Sequence, residues 1–330
     1  MRVTPNALLA ALGVALAAAS GVIGRFAPGS LLPEPERPFA GYGTPAVRIE
    51  GDAYPRYATG ADDVRTAIGA PPRRLVSQSW STDEYLYSIV PPERVVGVSE
   101  SAYQERLSNV LSIVRRHTPV VATNPEQVLR LAPDLVLTPA EARSDIPGLL
   151  RAAGVPVYRI YTMFPTLASI EEHIRLVGYL TGEDVRAEAE LRRFREVIAR
   201  ASERKPAGAP APRVMGFGGI YSYGSTTLFH DILRVLGAEN VAATHGFVGY
   251  DRVSDEHIVR WNPDWIVAGA DRGHVDDVRA RLIAHPAIAA TTAAARGQIV
   301  VLENQVFLPL SPFTAQLIEA LAVALYGATS

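Results

Sequence analysis

The sequence between Asn124 and Leu137 is NPEQVLRLAPDLVL, and the sequence between Ser254 and Val267 is SDEHIVRWNPDWIV. The two segments align at a constant offset of 130 residues, which pairs Glu126 with Glu256. Each segment predicts a short helix that begins after an N-cap residue and stops at Pro-Asp. A buried apolar strand follows at once in both copies. The repeat therefore predicts two halves that share one helix-strand unit.

Short apolar segments alternate with helical segments on both sides of this unit, which is typical of parallel βα units. Residues 166–205 differ, because they form a helical stretch that Thr181-Gly182 interrupts. Its second part would be about 30 Å long at a rise of 1.5 Å per residue. We expect an α/β fold of two βα lobes, with mainly parallel sheets, joined by one long rigid helix. The predicted strands are residues 74–77, 95–98, 134–137 and 156–160 in the first lobe and 213–217, 265–268 and 298–302 in the second. A hairpin is expected before Pro71.

The composition is that of a globular protein, with 48% hydrophobic and 20% charged residues among 330. The net charge is −2 and both signs are scattered, so no electrostatic attraction to nucleic acid or anionic lipid is expected. The chain has no cysteine, which excludes disulfides, thiolate catalysis and cysteine zinc sites. It also excludes a bacterial lipoprotein, because the acceptor of the lipid is missing.

The N-terminal residues predict export. A charged start, a short apolar run and an Ala-x-Ala end indicate a signal peptide at residues 1–20, with an uncleaved membrane anchor as the alternative. Residues 21–46 contain repeated prolines and are expected to be a linker. The folded part is divided into a first lobe at 47–165, interlobe helices at 166–205 and a second lobe at 206–330. Either interpretation places the lobes in the periplasm or another extracytoplasmic space.

Several motifs occur in the order found in one family. The segments RLVSQSWSTDEYLY (74–87), RVVGVS (94–99), GVPV (154–157) and LGAENV (236–241), together with the repeat, resemble the iron-siderophore, haem and cobalamin binding proteins of ABC importers, the TroA-like class III family. The resemblance implies a substrate-binding protein whose ligand lies between two lobes. It also implies docking of Glu126 and Glu256 on arginines of a permease dimer. No cofactor is implied, since the ligand, a small-molecule metal complex, would itself carry iron or cobalt.

The resemblance leaves the ligand open. Family members often carry Pro-x-x-Thr-Glu after the first strand, whereas this chain has Trp80-Ser81-Thr82-Asp83-Glu84. Ligands of open α/β sheets bind outside the carboxyl ends of the strands. Aromatic residues in these loops suit a flat, partly apolar ligand such as a corrin, porphyrin or catecholate chelate. The residues predicted to line the cleft are Ser79, Trp80, Ser81, Tyr103, Tyr161, Phe164, Tyr221, Tyr223, Tyr250, Arg272 and Phe307.

Other roles for these residues stay open. Tyr161 and Phe164 could equally pack between the lobes, and Tyr103 or Tyr221 could ligate haem iron as a phenolate. A receptor or metallochaperone for free zinc or manganese is an alternative function, although the seven histidines are scattered. An α/β enzyme that uses the same cleft is a less favoured alternative, because the sequence has no phosphate loop, nucleophile elbow or HExxH motif. Asp83 and Glu84 are adjacent and would point about 100° apart on a helix, which does not suit an acid-base pair.

Overall fold

Two parallel sheets form the frame of the structure. The computed structural model describes residues 47–327 except 118, 122–123, 143 and 164–165. The first sheet has the strand order β6-β5-β4-β7-β8 and the second has the order β11-β9-β13-β14, and every pairing in both is parallel. Two smaller sheets, β1-β2-β3 and β10-β12, are antiparallel. The strands are β1 (Arg48–Glu50), β2 (Arg56–Thr59), β3 (Arg65–Ile68), β4 (Leu75–Ser77), β5 (Val95–Val98), β6 (Val120–Val121), β7 (Leu135–Pro139), β8 (Val157–Ile160), β9 (Arg213–Gly216), β10 (Tyr221–Tyr223), β11 (Glu239–Asn240), β12 (Tyr250–Arg252), β13 (Trp265–Ala270) and β14 (Ile299–Glu303).

Helices connect the parallel strands, as the βα pattern predicts. They are α1 (Trp80–Ile89), α2 (Leu111–His117), α3 (Pro125–Arg130), α4 (Ile146–Ala152), α5 (Leu167–Thr181), α6 (Asp184–Ser202), α7 (Leu228–Val235), α8 (Val241–Thr244), α9 (Asp255–Trp261), α10 (Val275–Ala284), α11 (Pro286–Ala289), α12 (Thr292–Ala295), α13 (Asn304–Phe307) and α14 (Thr314–Tyr326). The α/β class and its two lobes with parallel sheets are confirmed. The region before Pro71 holds three antiparallel strands, where the sequence predicted a hairpin. No helix among the described residues is long and apolar enough to cross a membrane.

The repeated helix-strand unit has the same internal bonds in both lobes. Asn124 caps α3 by accepting from the Gln127 amide, and Ser254 caps α9 by accepting from the His257 amide. The helix ends also match, because Ala132 and Asn262 both adopt left-handed backbone angles, with φ of 45° and 43°. The predicted repeat is therefore a structural duplication.

An arginine and an aspartate join each copy of the unit to the strand beside it. The guanidinium of Arg74 donates to the carbonyl oxygen of Leu131, and Arg213 donates to that of the corresponding residue Trp261. Asp134 and Asp264 each accept from the backbone amide of the arginine in their own lobe. This arrangement fixes both helices against their sheets.

Helices α5 and α6 lie side by side and run in opposite directions. Arg175 pairs with Glu188, and Arg195 pairs with Glu171, so the ion pairs link residues equally far from the turn. The chain reverses at Gly182, which has φ of 73°, a left-handed conformation that glycine adopts without steric cost. The interruption predicted at Thr181-Gly182 is present, and a second helix follows it. The angle between the two helices was not predicted, because helix signals locate a break but not the angle across it.

Helix α6 is the long connecting helix. Its nineteen residues span about 28 Å at the standard rise, and it packs against α14 of the second lobe. One cluster of buried apolar residues extends from α1 and the first sheet, through α5 and α6, to α7 and α14. The two lobes therefore share a continuous core at their base, which favours a rigid connection.

Candidate ligand-binding cleft

The predicted cleft lies between the carboxyl ends of the two sheets, and direct hydrogen bonds join the two lobes there. Residues 305–311, which comprise the last three residues of α13 and the first part of its connection to α14, lie against the first lobe; we call them the floor segment. Ser81 Oγ donates to the Leu310 carbonyl over 2.8 Å, and Asn109 Nδ2 donates to the Gln305 carbonyl over 2.8 Å. The third bond runs from Ser311 Oγ to Glu84 Oε2 over 2.6 Å. The loops expected to face one another are thus adjacent.

Glu84 is a buried carboxylate in this floor. It has 0% exposure and accepts from Trp80 Nε1 at 3.0 Å and from Asn109 Nδ2 at 2.7 Å, in addition to Ser311. Burial raises the pKa of Glu84 to about 7, and the three donors only partly offset this effect. Sequence reasoning did not identify Glu84 as a site residue. The available signal was its spacing of four from Trp80, which places both on one helix face.

Asp83, the preceding residue, is buried on a different side of α1. It accepts hydrogen bonds from the backbone amide and the hydroxyl of Ser99, which follows β5. Burial raises the pKa of Asp83 to about 7 as well. The two carboxylates have separate partners, which agrees with the expectation that they do not act as a pair.

Aromatic residues form a cluster at the carboxyl ends of the second-lobe strands. The ring of Tyr223 lies 5.4 Å from Phe229, 5.5 Å from Tyr250 and 5.7 Å from Phe307, measured between centroids. A Cβ atom at Gly216 would overlap the Tyr223 ring, so this glycine provides the space for it. Since Phe307 lies within the floor segment, the cluster adjoins the interlobe contact. The structure brings the predicted residues Tyr223, Tyr250 and Phe307 together, and their contact with a ligand stays a prediction.

Burial raises the pKa of each tyrosine on the β10-β12 ribbon. Desolvation of the hydroxyl raises the pKa of Tyr250 to about 12, although 39% of the residue is exposed. The pKa of Tyr223 is raised further, and that of Tyr221 is raised despite the nearby charge of Arg252. The neutral phenol is therefore the favoured form of all three.

Charged groups lie at the rim of the cleft. Arg272 Nε lies 3.5 Å from Glu303 Oε2, and Gln305 Nε2 donates to the same oxygen over 2.8 Å. On the first lobe, a hydrogen bond from Arg115 lowers the pKa of Glu105, with a smaller contribution from Arg272. Arg272 of the second lobe is therefore close enough to Glu105 of the first lobe to lower the pKa of that carboxyl group.

Other predicted site residues have partners outside the cleft surface. Ser79 is the N-cap of α1, and the Tyr103 hydroxyl donates to the Pro119 carbonyl over 2.8 Å. Tyr161 lines a cavity of 120 Å³ between the first lobe and the antiparallel sheet β1-β2-β3, together with Tyr158. Phe164 lies outside the described residues. Tyr161 therefore borders a different part of the fold from Trp80.

Both repeat glutamates are on the surface. The side chain of Glu126 is 88% exposed, and Glu256 is exposed as well. Each occupies the second position of its helix, where a negative charge favours the helix dipole. Their exposure satisfies the condition that a docking role requires, and the role itself remains a prediction.

No group of three or more histidine, cysteine, aspartate or glutamate side chains converges within the described ranges in a way that could hold a metal ion.

A second cavity of 340 Å³ lies between α1, α6 and the start of α14, and Glu190 and Phe313 are part of its lining. Its lining residues come from α1, α6 and residues 312–316, so the cavity does not lie between the carboxyl ends of the strands.

A family model described as periplasmic binding protein matches residues 75–306, which is more than half of the chain. The chain belongs to the periplasmic binding protein family. A cobalamin-binding protein of Halobacterium salinarum (strain R1) is 26% identical over 308 residues, covering 91% of this chain and 80% of that protein. The structure of a periplasmic haem-binding protein from Pseudomonas aeruginosa is 26% identical, with a TM-score of 0.64 over 78% of this chain and 94% of that one.

A periplasmic binding protein from Veillonella parvula has a TM-score of 0.70 at 18% identity, covering 86% of this chain and 99% of that one. This likeness supports the fold. An ABC transporter substrate-binding lipoprotein of Bacillus subtilis, YvrC, which is uncharacterized, is 25% identical over 260 residues. The family resemblance that the ordered motifs predicted is confirmed, and the chain is a substrate-binding protein of the kind that serves ABC importers.

Proposed function

We propose that this periplasmic binding protein captures a corrinoid between its lobes and delivers it to a membrane permease. The observation that carries the proposal is the aromatic cluster around Tyr223, in which Tyr250 is exposed while Phe229 and Phe307 are buried beneath it, next to the interlobe contact where Trp80 lies. Flat rings with polar edges suit a large, partly apolar macrocycle. The similarity to a cobalamin-binding protein over 91% of the chain supports a corrin in particular.

Haem is the second candidate, because solved relatives bind it. A corrinoid carries its own lower ligand to cobalt, whereas haem iron takes its axial ligand from the protein. Of the two tyrosines considered as phenolate ligands, Tyr103 donates its hydroxyl to the Pro119 carbonyl inside the first lobe, which disfavours it for this role. Tyr221 is then the candidate for a haem ligand, and the titration below decides between the two macrocycles.

Calorimetric titration with cyanocobalamin, hemin and a ferric catecholate siderophore tests the ligand. We expect saturable binding of cyanocobalamin and weaker binding of the other two. Tyr250→Ala is expected to raise the Kd for cyanocobalamin about fivefold, since an aromatic contact contributes roughly 1 kcal/mol beyond its buried area. Tyr57→Ala is the matched control, because Tyr57 lies under Arg65 on the small antiparallel sheet. Tight binding of hemin with no binding of cyanocobalamin would reject the corrinoid.

We also propose that Glu126 and Glu256 dock on the permease, one from each lobe. Both are exposed at the same position of the duplicated unit, which fits a partner with two equivalent surfaces. The Glu126→Ala, Glu256→Ala double variant should bind ligand normally and lose most stimulation of the reconstituted importer. Glu196→Ala, an exposed acid on α6, is the control. Normal stimulation by the double variant would refute the docking assignment.

The export and the domain limits are part of the same proposal. Residues 1–20 act as the signal peptide, 21–46 as the linker, 47–165 and 206–330 as the lobes, and 166–205 as the helices between them. Residues 1–46 lie outside the described part of the structure. N-terminal sequencing of the mature protein checks cleavage near residue 20, and an intact N-terminus in the membrane fraction would favour the retained anchor.

A further inference from the structure

The floor segment is joined to the first lobe through one hydrogen-bonded network. Ser311 of the floor segment donates to Glu84, and Asn109 donates both to Glu84 and to the Gln305 carbonyl at the other end of the segment. Two of the three hydrogen bonds described between the floor segment and the first lobe therefore pass through Glu84 or through its direct partner. The third, from Ser81 to Leu310, starts one turn earlier on the same helix.

The burial of Glu84 at this position is energetically unfavourable unless its carboxyl group is hydrogen-bonded. A carboxylate without exposure loses its hydration, and only hydrogen bonds to it can compensate. The donors come from both lobes: Trp80 and Asn109 from the first, and Ser311 from the second. If the lobes moved apart, the carboxylate would lose the Ser311 donor. The network therefore favours one separation of the lobes over others.

The same carboxylate orients the indole of Trp80. Its Nε1 donates to Glu84 Oε1 over 3.0 Å, which fixes the ring at the start of α1 where the cleft begins. Because one carboxylate oxygen binds the indole and the other binds Ser311, Glu84 connects a cleft side chain with the position of the opposite lobe.

We propose that Glu84 is a positioning residue that sets the lobe separation and the Trp80 orientation before any ligand arrives. Glu84 need not touch the ligand itself. It shapes the cleft so that the ligand does not have to order two mobile lobes on binding. The effect on ligand affinity rests on the proposed function, whereas the effect on lobe separation does not.

The lobe separation can be measured directly by electron-electron double resonance. The chain has no cysteine, so Ser112→Cys in α2 and Ala284→Cys in α10, both exposed, provide one spin label per lobe. The test variant is Ser311→Ala, which removes the donor to Glu84 and the acceptor for the Phe313 amide. Thr291→Val is the matched control: this threonine also donates to one carbonyl, that of Ile288, and accepts from one amide, that of Ala294.

We expect the distance distribution of Ser311→Ala to broaden and shift to longer values, and that of Thr291→Val to match the parent. Glu84→Gln should keep the parent distribution, since its amide can replace the carboxyl group, while Glu84→Ala should behave like Ser311→Ala. If Glu84→Ala does not fold, Ser311→Ala decides the question. An unchanged distribution in Ser311→Ala would overturn the proposal.

The effect on ligand binding is measured by titration with cyanocobalamin, and the orientation of Trp80 is followed by tryptophan fluorescence. The Kd is expected to rise about tenfold in Ser311→Ala, equivalent to roughly 1.4 kcal/mol, and to stay unchanged in Thr291→Val. The tryptophan emission should shift in Glu84→Ala relative to Glu84→Gln, which separates positioning from a general loss of stability. Equal loss of affinity in Ser311→Ala and Thr291→Val would also overturn the proposal. A parent protein that binds no cyanocobalamin would reject the corrinoid, while the spin-label distances would still decide the role of Glu84.

Discussion

The burial of Glu84 predicts an unusual dependence of stability on pH. Its pKa is raised from an ordinary 4.5 to about 7 in the folded protein. The folded protein therefore holds this proton to a higher pH than the unfolded chain does. Stability contributed by the neutral form is fully present below about pH 4.5 and is lost as the pH rises through 7. The difference of about 2.5 pKa units corresponds to roughly 3 kcal/mol.

Glu84→Gln isolates this effect, because the amide is nearly isosteric and does not titrate. The side chains that face Glu84 are Trp80, Asn109 and Ser311, and none of them titrates between pH 4 and 8. Relative to the parent, the variant should gain on the order of 3 kcal/mol of unfolding free energy between pH 4 and pH 8. Asp83 has its own raised pKa, but it is present in both proteins and cancels in the comparison.

Urea unfolding at several pH values measures the difference, followed by circular dichroism and by fluorescence so that coincident transitions can be checked. Glu196→Gln, an exposed acid on α6, serves as the control and should show no such trend. A constant difference between Glu84→Gln and the parent across this range would show that the carboxylate is not desolvated as the structure indicates.

Gly216→Ala should destabilise the protein by about 1–3 kcal/mol and weaken ligand binding, because the added Cβ overlaps Tyr223. Gly148→Ala on α4, where a Cβ meets nothing, should be neutral or stabilise by about 0.5–1 kcal/mol in the same melts. Arg213→Ala should cost about 1–3 kcal/mol of unfolding free energy, since it leaves the Trp261 and Asn262 carbonyls without their guanidinium donor, and a cost near zero would contradict this role. Small-angle scattering with and without ligand should give the same radius of gyration within error, and a large compaction would refute the rigid connection.

The parts of the fold that were predictable are those in which local sequence and burial agree. Strand β7 is a continuous apolar run after Pro-Asp, and the structure begins it within one residue of the expected position. The β10-β12 ribbon was missed, because β12 has three exposed residues whose pairing with β10 depends on contacts almost thirty positions away. The reversal of direction at Gly182 was not predicted for a related reason, since the pairing of α5 with α6 depends on the apolar core that both helices share with other parts of the chain.

The residues of the candidate site differ in the same way: some were predictable from local sequence, whereas others depend on distant contacts. The rule that ligands bind at the carboxyl ends of strands grouped Tyr223, Tyr250 and Phe307, and it placed Trp80 near the opposite lobe. It also selected Tyr103, whose hydroxyl is bonded to a backbone carbonyl inside its own lobe. Residue type alone cannot distinguish a hydroxyl that faces a cleft from one that satisfies a carbonyl. Buried polar residues such as Glu84 are harder still to predict as site residues, because a partner such as Ser311 comes from the other half of the chain.

The duplicated architecture and the shared core together constrain how this protein can respond to a ligand. Each lobe is fixed internally by the same arginine-aspartate arrangement, and one apolar cluster passes through α5 and α6 into both lobes. A wide hinge motion would have to break that cluster and would also take the Ser311 donor away from the buried carboxylate of Glu84. Both losses are unfavourable, because exposed apolar surface and an unpaired buried carboxylate each raise the free energy of the protein. Ligand-dependent change in the lobe separation should therefore be small, and Glu126 and Glu256 on the outer helices should keep their spacing.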